Sequence, residues 1–215
     1  MPHILHWSPR SPFVRKVMIA LHEKGLIDQV QTVRTWADPI FPPNDFFAVT
    51  PLAKIPTLEV EGGQTLYDSR VIMEWADIHG KTSEVLFPAE PETRLATLRD
   101  EALGTGMMEV GILLLIELYI RAEHQQNHNL IGANRRKFSE ALDYLEARID
   151  NVAQRPFDAG HVSIGTALCY YDFRFGDQIW RDGRPALAAW HEDFCKRPSV
   201  IATAFRDDPR PMTDN

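Results

Sequence analysis

Residues 8–16 read Ser8-Pro9-Arg10-Ser11-Pro12-Phe13-Val14-Arg15-Lys16, directly after the apolar run Ile4-Leu5-His6-Trp7. The apolar run reads as a short strand and the stretch from Ser8 to Pro12 as a turn. Ser11 followed by Pro12 is a helix start, because serine is a favoured N-cap and proline suits the first helical position. Val14, Val17, Met18 and Leu21 then recur at i, i+3, i+4 and i+7, one apolar stripe of a helix. Gly25 marks its end. A cap alone explains such a segment. It also suits an anion, since free N–H groups and the helix dipole converge there. A hydroxyl at that place can donate to a ligand thiolate, and low-pKa thiolates sit at helix N-termini.

Outward from this segment, Gln29 to Arg34 alternates apolar and polar residues and reads as a second strand. Trp36 to Pro43 holds three prolines and is a loop. Thr57-Leu58-Glu59-Val60 and Thr65-Leu66-Tyr67 flank Glu61-Gly62-Gly63-Gln64, a hairpin pattern. Asp68-Ser69 then starts a helix with Val71, Ile72 and Trp75 as apolar positions. The order β-α-β, loop, β-β-α over about 80 residues predicts an α/β sheet domain. Gly80 to Pro91 is a polar linker. Beyond it the patterns are helical. Leu95, Leu98 and Ala102 share a face, and Leu142, Leu145, Ile149 and Val152 keep helical spacing. Ser163 is read as opening a helix with Leu168, Tyr171 and Phe175, and Ala186 to Phe194 as a further short one. The tail after Arg206 is polar and expected to fray.

The chain has 215 residues and a formal net charge of −7, with 44% apolar and 25% charged residues. That is a globular composition. A net negative chain disfavours nucleic acid. Met107 to Ile120, the longest apolar stretch, is broken by Glu109 and Glu117 and falls short of the roughly 20 residues of a membrane span. The start has no signal-peptide pattern. Two cysteines, Cys169 and Cys195, show neither a disulfide framework nor a zinc spacing. A cytoplasmic chain with no metal and no membrane contact is the expectation.

Two more segments carry chemistry. In Thr50-Pro51-Leu52-Ala53-Lys54-Ile55-Pro56-Thr57-Leu58 a proline precedes a strand. Either an ordinary edge proline or a cis Ile55–Pro56 bond explains it. The cis form makes a tight turn and aims the Ile55 backbone outward. In Tyr67-Asp68-Ser69-Arg70-Val71-Ile72, Asp68 or Ser69 caps a helix whose start can also bind a carboxylate.

Taken in order, the three segments resemble the glutathione S-transferase superfamily, closely over residues 3–79 and more weakly beyond. The Ser-Pro-Phe run looks like its serine-type, bacterial-like classes. The resemblance implies α/β plus all-α architecture: residues 1–80 a thioredoxin-like glutathione-binding domain, 81–91 a linker, and 92–215 an all-helical domain contributing the acceptor-substrate pocket. It implies that Ser11, with Ser8 as a rival, activates the thiol of glutathione, the co-substrate. Lys54 would meet a glutathione carboxylate, and Ile55 and Pro56 the cysteinyl part. Asp68 and Ser69 would hold the γ-glutamyl end, where the family more often has Glu than Asp. It further implies a homodimer and a detoxifying transferase acting on a small hydrophobic electrophile. The same likeness covers glutathione-dependent lyases that cleave aryl ethers, isomerases, peroxidases, dehalogenases and non-catalytic binding modules. One departure lies in the helical half: the family's usual capping box, Ser or Thr followed three later by Asp, reads Ser163-Ile164-Gly165-Thr166 here.

The remaining signals are weaker. His124 and His128 lie four apart on an expected helix and lack a third metal ligand in register. Arg135-Arg136-Lys137 reads as a solvated face. Trp7, Trp36, Met108, Tyr119 and Tyr170 are candidates for an apolar acceptor pocket or for core packing. Arg10, Arg15, Arg70 and Lys54 are the cations available to an anionic ligand.

Overall fold

A computed structural model describes residues 2–176 and 180–208. They form two compact units. One comprises the described residues up to Ser83 together with those from Ala202 onward; the other is Glu84–Ile201.

The first unit carries β1 (His3–Trp7), α1 (Pro12–Glu23), β2 (Val30–Arg34), β3 (Thr57–Glu59), β4 (Thr65–Leu66) and α2 (Ser69–His79). The sheet order is β2-β1-β3-β4. β1 and β2 are parallel, while β3 runs antiparallel to β1 and to β4. This is the thioredoxin-like sheet that the motif order implied. α1 begins where the Ser-Pro signal places it, with Val14, Val17 and Leu21 fully buried. It ends in a Schellman-type closure: Gly25 sits at φ +64, Gly25 N donates to His22 O, and Leu26 N to Leu21 O. Lys24 is buried beside it and pairs with Asp77 of α2 at 3.0 Å. On α2 the buried face is Ile72, Met73 and Ala76, while Val71 is exposed.

The second unit is helical: α3 (Pro91–Leu115), which runs on into a π-turn Ile116–Ile120, then α4 (His128–Glu146), α5 (Ile149–Ala153), α6 (Ala159–Arg174), α7 (Pro185–Cys195) and α8 (Pro198–Ala202), which crosses into the closing segment. The continuous helix Pro91–Ile120 is long and apolar enough, by length and composition, to cross a membrane, longer than the apolar stretch Met107–Ile120 suggests. Here it is the central helix of its unit. Its inward face is not the expected Leu95, Leu98 and Ala102, of which Leu95 and Ala102 are exposed. The inward face is Thr97, Asp100, Glu101, Gly104, Met107, Met108 and Gly111. Small residues win because α6 comes so close: a Cβ on Gly104 would lie 2.4 Å from the Ser163 carbonyl carbon. Leu142, Leu145, Ile149 and Val152 are buried as their spacing predicted, but the helix breaks between Glu146 and Ile149. Met108 and Tyr170 are fully buried core residues, not pocket walls.

Ser163 does not open α6. The N-cap is Asp158, whose side chain accepts from His161 N at 3.1 Å, and His161 Nδ1 closes the reciprocal limb with Asp158 N at 3.2 Å. Ser163 lies fully buried inside the helix. Asp158 is also the hub of a buried network. Its Oδ2 accepts from Thr97 Oγ1 at 2.8 Å and from Arg155 Nε at 3.1 Å, and Arg155 Nη2 reaches Asp100 at 2.8 Å. Burial alone pushes the pKa of Asp158 up. The hydrogen bonding of His161, the Thr97 hydroxyl and the Arg155 charge outweigh it, and the value falls to about 2.

Candidate functional site

Strand register brings the three motif segments of the first unit to one end of the sheet. His6 of β1 lies opposite Thr57 of β3, and Leu58 of β3 opposite Leu66 of β4. Beyond these pairs the chain leaves β1 toward Ser8, Ile55–Pro56 leads into β3, and Asp68 follows β4 after Tyr67. The parallel partner β2 ends there too, with Trp7 opposite Arg34. Ligands of α/β sheets bind outside the carboxyl ends of parallel strands, and the carboxyl ends of β1 and β2 are at this edge.

Ser11 caps α1. Its Oγ accepts from Val14 N at 3.3 Å, which leaves the hydroxyl proton to donate elsewhere. Arg15 N is taken by Ser11 O and Pro12 has no N–H, so the Phe13 amide is the first-turn donor that the helix does not use. No acidic side chain occupies that turn. Ser8 is buried and its Oγ accepts from Arg10 N at 3.3 Å, whereas Ser11 is half-buried. Of the two serines, Ser11 is the one open to a ligand.

The Ile55–Pro56 peptide is cis. Thr57 Oγ1 donates to Lys54 O at 2.8 Å and so ties down the turn that presents Ile55. Ala53, buried, adopts φ +47, a left-handed conformation that favours glycine. The Lys54 side chain is exposed and forms no hydrogen bond or ion pair among the described residues. Asp68, which follows a cis peptide from Tyr67, caps α2 by accepting from Arg70 N at 3.1 Å. Ser69 is buried and Asp68 exposed.

The closing segment was legible only as a polar tail. Its described part does not fray: it docks on this same edge. Arg206 N donates to Pro9 O at 3.3 Å. Asp207 pairs with Arg10 at 3.1 Å. Asp208 takes a two-pronged contact from Arg34 at 2.6 and 3.0 Å, and those hydrogen bonds hold its pKa below the usual carboxylate range. Residues 209–215 lie outside the described residues. Arg10 and Arg34 both stack on Trp36, and Arg15 is buried with its guanidinium 4.4 Å from the centre of the Phe205 ring. Arg10 and Arg15 are therefore engaged. Of the cations named from the sequence, Lys54 and Arg70 show no such engagement among the described residues.

His124 and His128 are exposed, as is the Arg135-Arg136-Lys137 face of α4. One cluster of potential metal ligands among the described residues was not visible as a motif: Cys169, His191 and Cys195. The i, i+4 pair His191 and Cys195 on one helix was its sequence signal.

Comparison with known proteins is consistent across sequence and structure. A family model described as the N-terminal domain of glutathione S-transferases matches residues 10–78. An Escherichia coli (strain K12) protein described as an uncharacterized GST-like protein, YibF, is 29% identical over 199 residues, covering 91% of this chain and 95% of that one. A glutathione transferase family member from Pseudomonas fluorescens Pf-5, solved with bound glutathione, is 37% identical, covers 95% of this chain and 100% of its own, and superposes with a TM-score of 0.91. A second structure of a family member from that organism, with bound S-(propanoic acid)-glutathione, gives 38% identity over 94% of this chain and 98% of that one, with a TM-score of 0.86.

Proposed function

The chain belongs to the glutathione S-transferase family, and on that premise we propose that it binds glutathione at the sheet edge of its first unit and delivers the sulfur as thiolate to a small apolar electrophile. The observation that carries this reading is the convergence of the Ser11 helix start, the Ile55–Pro56 turn and the Asp68–Ser69 helix start at one sheet edge. The glutathione bound to the Pseudomonas fluorescens relative supports it.

Each part has a physical role. The Ile55 backbone, presented at the cis turn, pairs with the peptide-like cysteinyl portion. The α2 start and Asp68 take the amino-acid end of the γ-glutamyl group, and Lys54 meets the opposite carboxylate. The Ser11 hydroxyl and the Phe13 amide face the sulfur. A free thiol has a pKa of about 8.5, so little is ionised at neutral pH. Lowering it by about two pKa units takes roughly 2.7 kcal/mol of preference for the thiolate. One charge-assisted hydrogen bond plus a helix N-terminus lies in that range.

The same reading carries a homodimer in the cytoplasm, supported for the dimer by Leu95 and Leu113 of α3, which are exposed in the single chain. The test combines three measurements: retention on immobilised glutathione, ultraviolet titration of the bound thiol, and turnover of an aryl halide. Binding with a lowered thiol pKa and turnover is the expected result. Binding without turnover on a broad electrophile panel overturns the transferase reading in favour of a binding module. No binding overturns it altogether.

A further inference from the structure

In the helical unit, α7 carries His191 and Cys195 one turn apart, and α6 brings Cys169 against them. Cys169 Sγ lies 3.3 Å from His191 Nε2 and 3.8 Å from Cys195 Sγ, and Cys195 Sγ lies 3.6 Å from His191 Nε2. The two sulfurs are not joined, since a disulfide would bring them to about 2.05 Å. The three spacings instead fit the edges of a coordination tetrahedron. With zinc–sulfur bonds of about 2.3 Å and zinc–nitrogen bonds of about 2.05 Å, tetrahedral ligands stand about 3.8 Å apart (S to S) and about 3.6 Å apart (S to N). Two of the three distances match these values, and the third lies about 0.3 Å inside.

From this triangle we propose that Cys169, His191 and Cys195 form a binding site for a thiophilic d10 divalent cation of the zinc type. Two thiolates and one imidazole are the donor set that such ions select. Three protein ligands leave the fourth position to water or an exogenous ligand. Cys169 and His191 are buried and Cys195 is partly exposed, which provides the entry side. Without metal, Arg181 Nη2 lies 3.3 Å from His191 Nδ1. An arginine can only donate, so Nδ1 accepts and the ring proton sits on Nε2, facing the sulfurs. Loading the ion sends the two thiol protons to solvent and moves the ring proton to Nδ1. Arg181 must then turn from Nδ1; its side chain is 41% exposed and keeps its anchor on Asp172. The bland alternative is a hydrogen-bonded thiol pair with no affinity for metal.

Titration of the reduced full-length chain with Cd(II), a spectroscopic stand-in for Zn(II), separates the two. The expected result is a sulfur-to-metal ultraviolet band that saturates at one ion per chain, with about two protons released. Cys169→Ser and Cys195→Ser lose the band, and His191→Gln weakens binding by at least about tenfold. A band that persists in the double serine variant, or no saturable band, overturns the proposal. A second measurement needs no variant: one equivalent of Zn(II) slows the labelling of Cys195 by a thiol reagent, and unchanged labelling overturns the proposal equally. Neither readout involves glutathione turnover, so failure here leaves the transferase reading untouched.

Discussion

Replacing Asp158 by asparagine keeps an N-cap of nearly the same shape and removes its charge. The native carboxyl is held at about 2 against an ordinary 3.8. That difference is worth roughly 2–2.5 kcal/mol of folding stability at neutral pH. Because the folded-state value is depressed, the contribution is complete above about pH 4 and drains away as pH falls toward 2. Urea unfolding of the native chain and of Asp158→Asn, run at several pH values, reads it directly. At pH 7 the variant is expected to be less stable by about 2–2.5 kcal/mol, and the gap narrows by about 1 kcal/mol between pH 5 and pH 3. Asp158→Ala also removes the cap and loses about 1 kcal/mol more. A gap that stays constant with pH refutes the electrostatic account and leaves shape alone as the cause.

Three further outcomes follow from the two units. Ser11→Ala is expected to lower aryl-halide turnover by about 2–4 kcal/mol of transition-state stabilisation and to raise the bound thiol's pKa in an ultraviolet titration; an unchanged pKa and turnover remove Ser11 from the chemistry. Lys54→Ala is expected to weaken glutathione binding by about 1 kcal/mol at low salt, with the difference fading at high salt in calorimetry, as for an exposed ion pair. Gly104→Ala places a methyl 2.4 Å from the Ser163 backbone and is expected to cost about 1–3 kcal/mol in thermal unfolding, with glutathione binding by the refolded variant unaffected.

The first unit was legible because its signals are local. A serine before a proline, apolar residues at helical spacing, and glycines between alternating runs each determine their own geometry, and the candidate site is drawn from those same residues. The helical unit was less so. The stripe Leu95, Leu98 and Ala102 on α3 obeys the helical period, yet the core side of that helix holds Gly104, Gly111, Thr97 and Asp100. Closeness to α6 and a buried ion network decided that face, and both are properties of a partner element. The true cap of α6 escaped for a similar reason. Asp158 is answered by His161, not by the Glu or Gln of the usual box, and although Arg155 is only three residues before it, its partner Thr97 is 61 residues away. Cys169 and His191 are separated by a loop, so their meeting depends on how α7 packs on α6. The docked acids Asp207 and Asp208 reach Arg10 and Arg34 from more than 170 residues away, a separation beyond any window of periodicity.

That last pairing has a consequence for how the protein is made. The segment that neutralises Arg10 and Arg34 leaves the ribosome only after every helix from α3 to α8 has been translated. A nascent chain therefore carries a sheet edge more strongly positive than the finished one, and its first unit cannot acquire all its partners in the order in which it is synthesised.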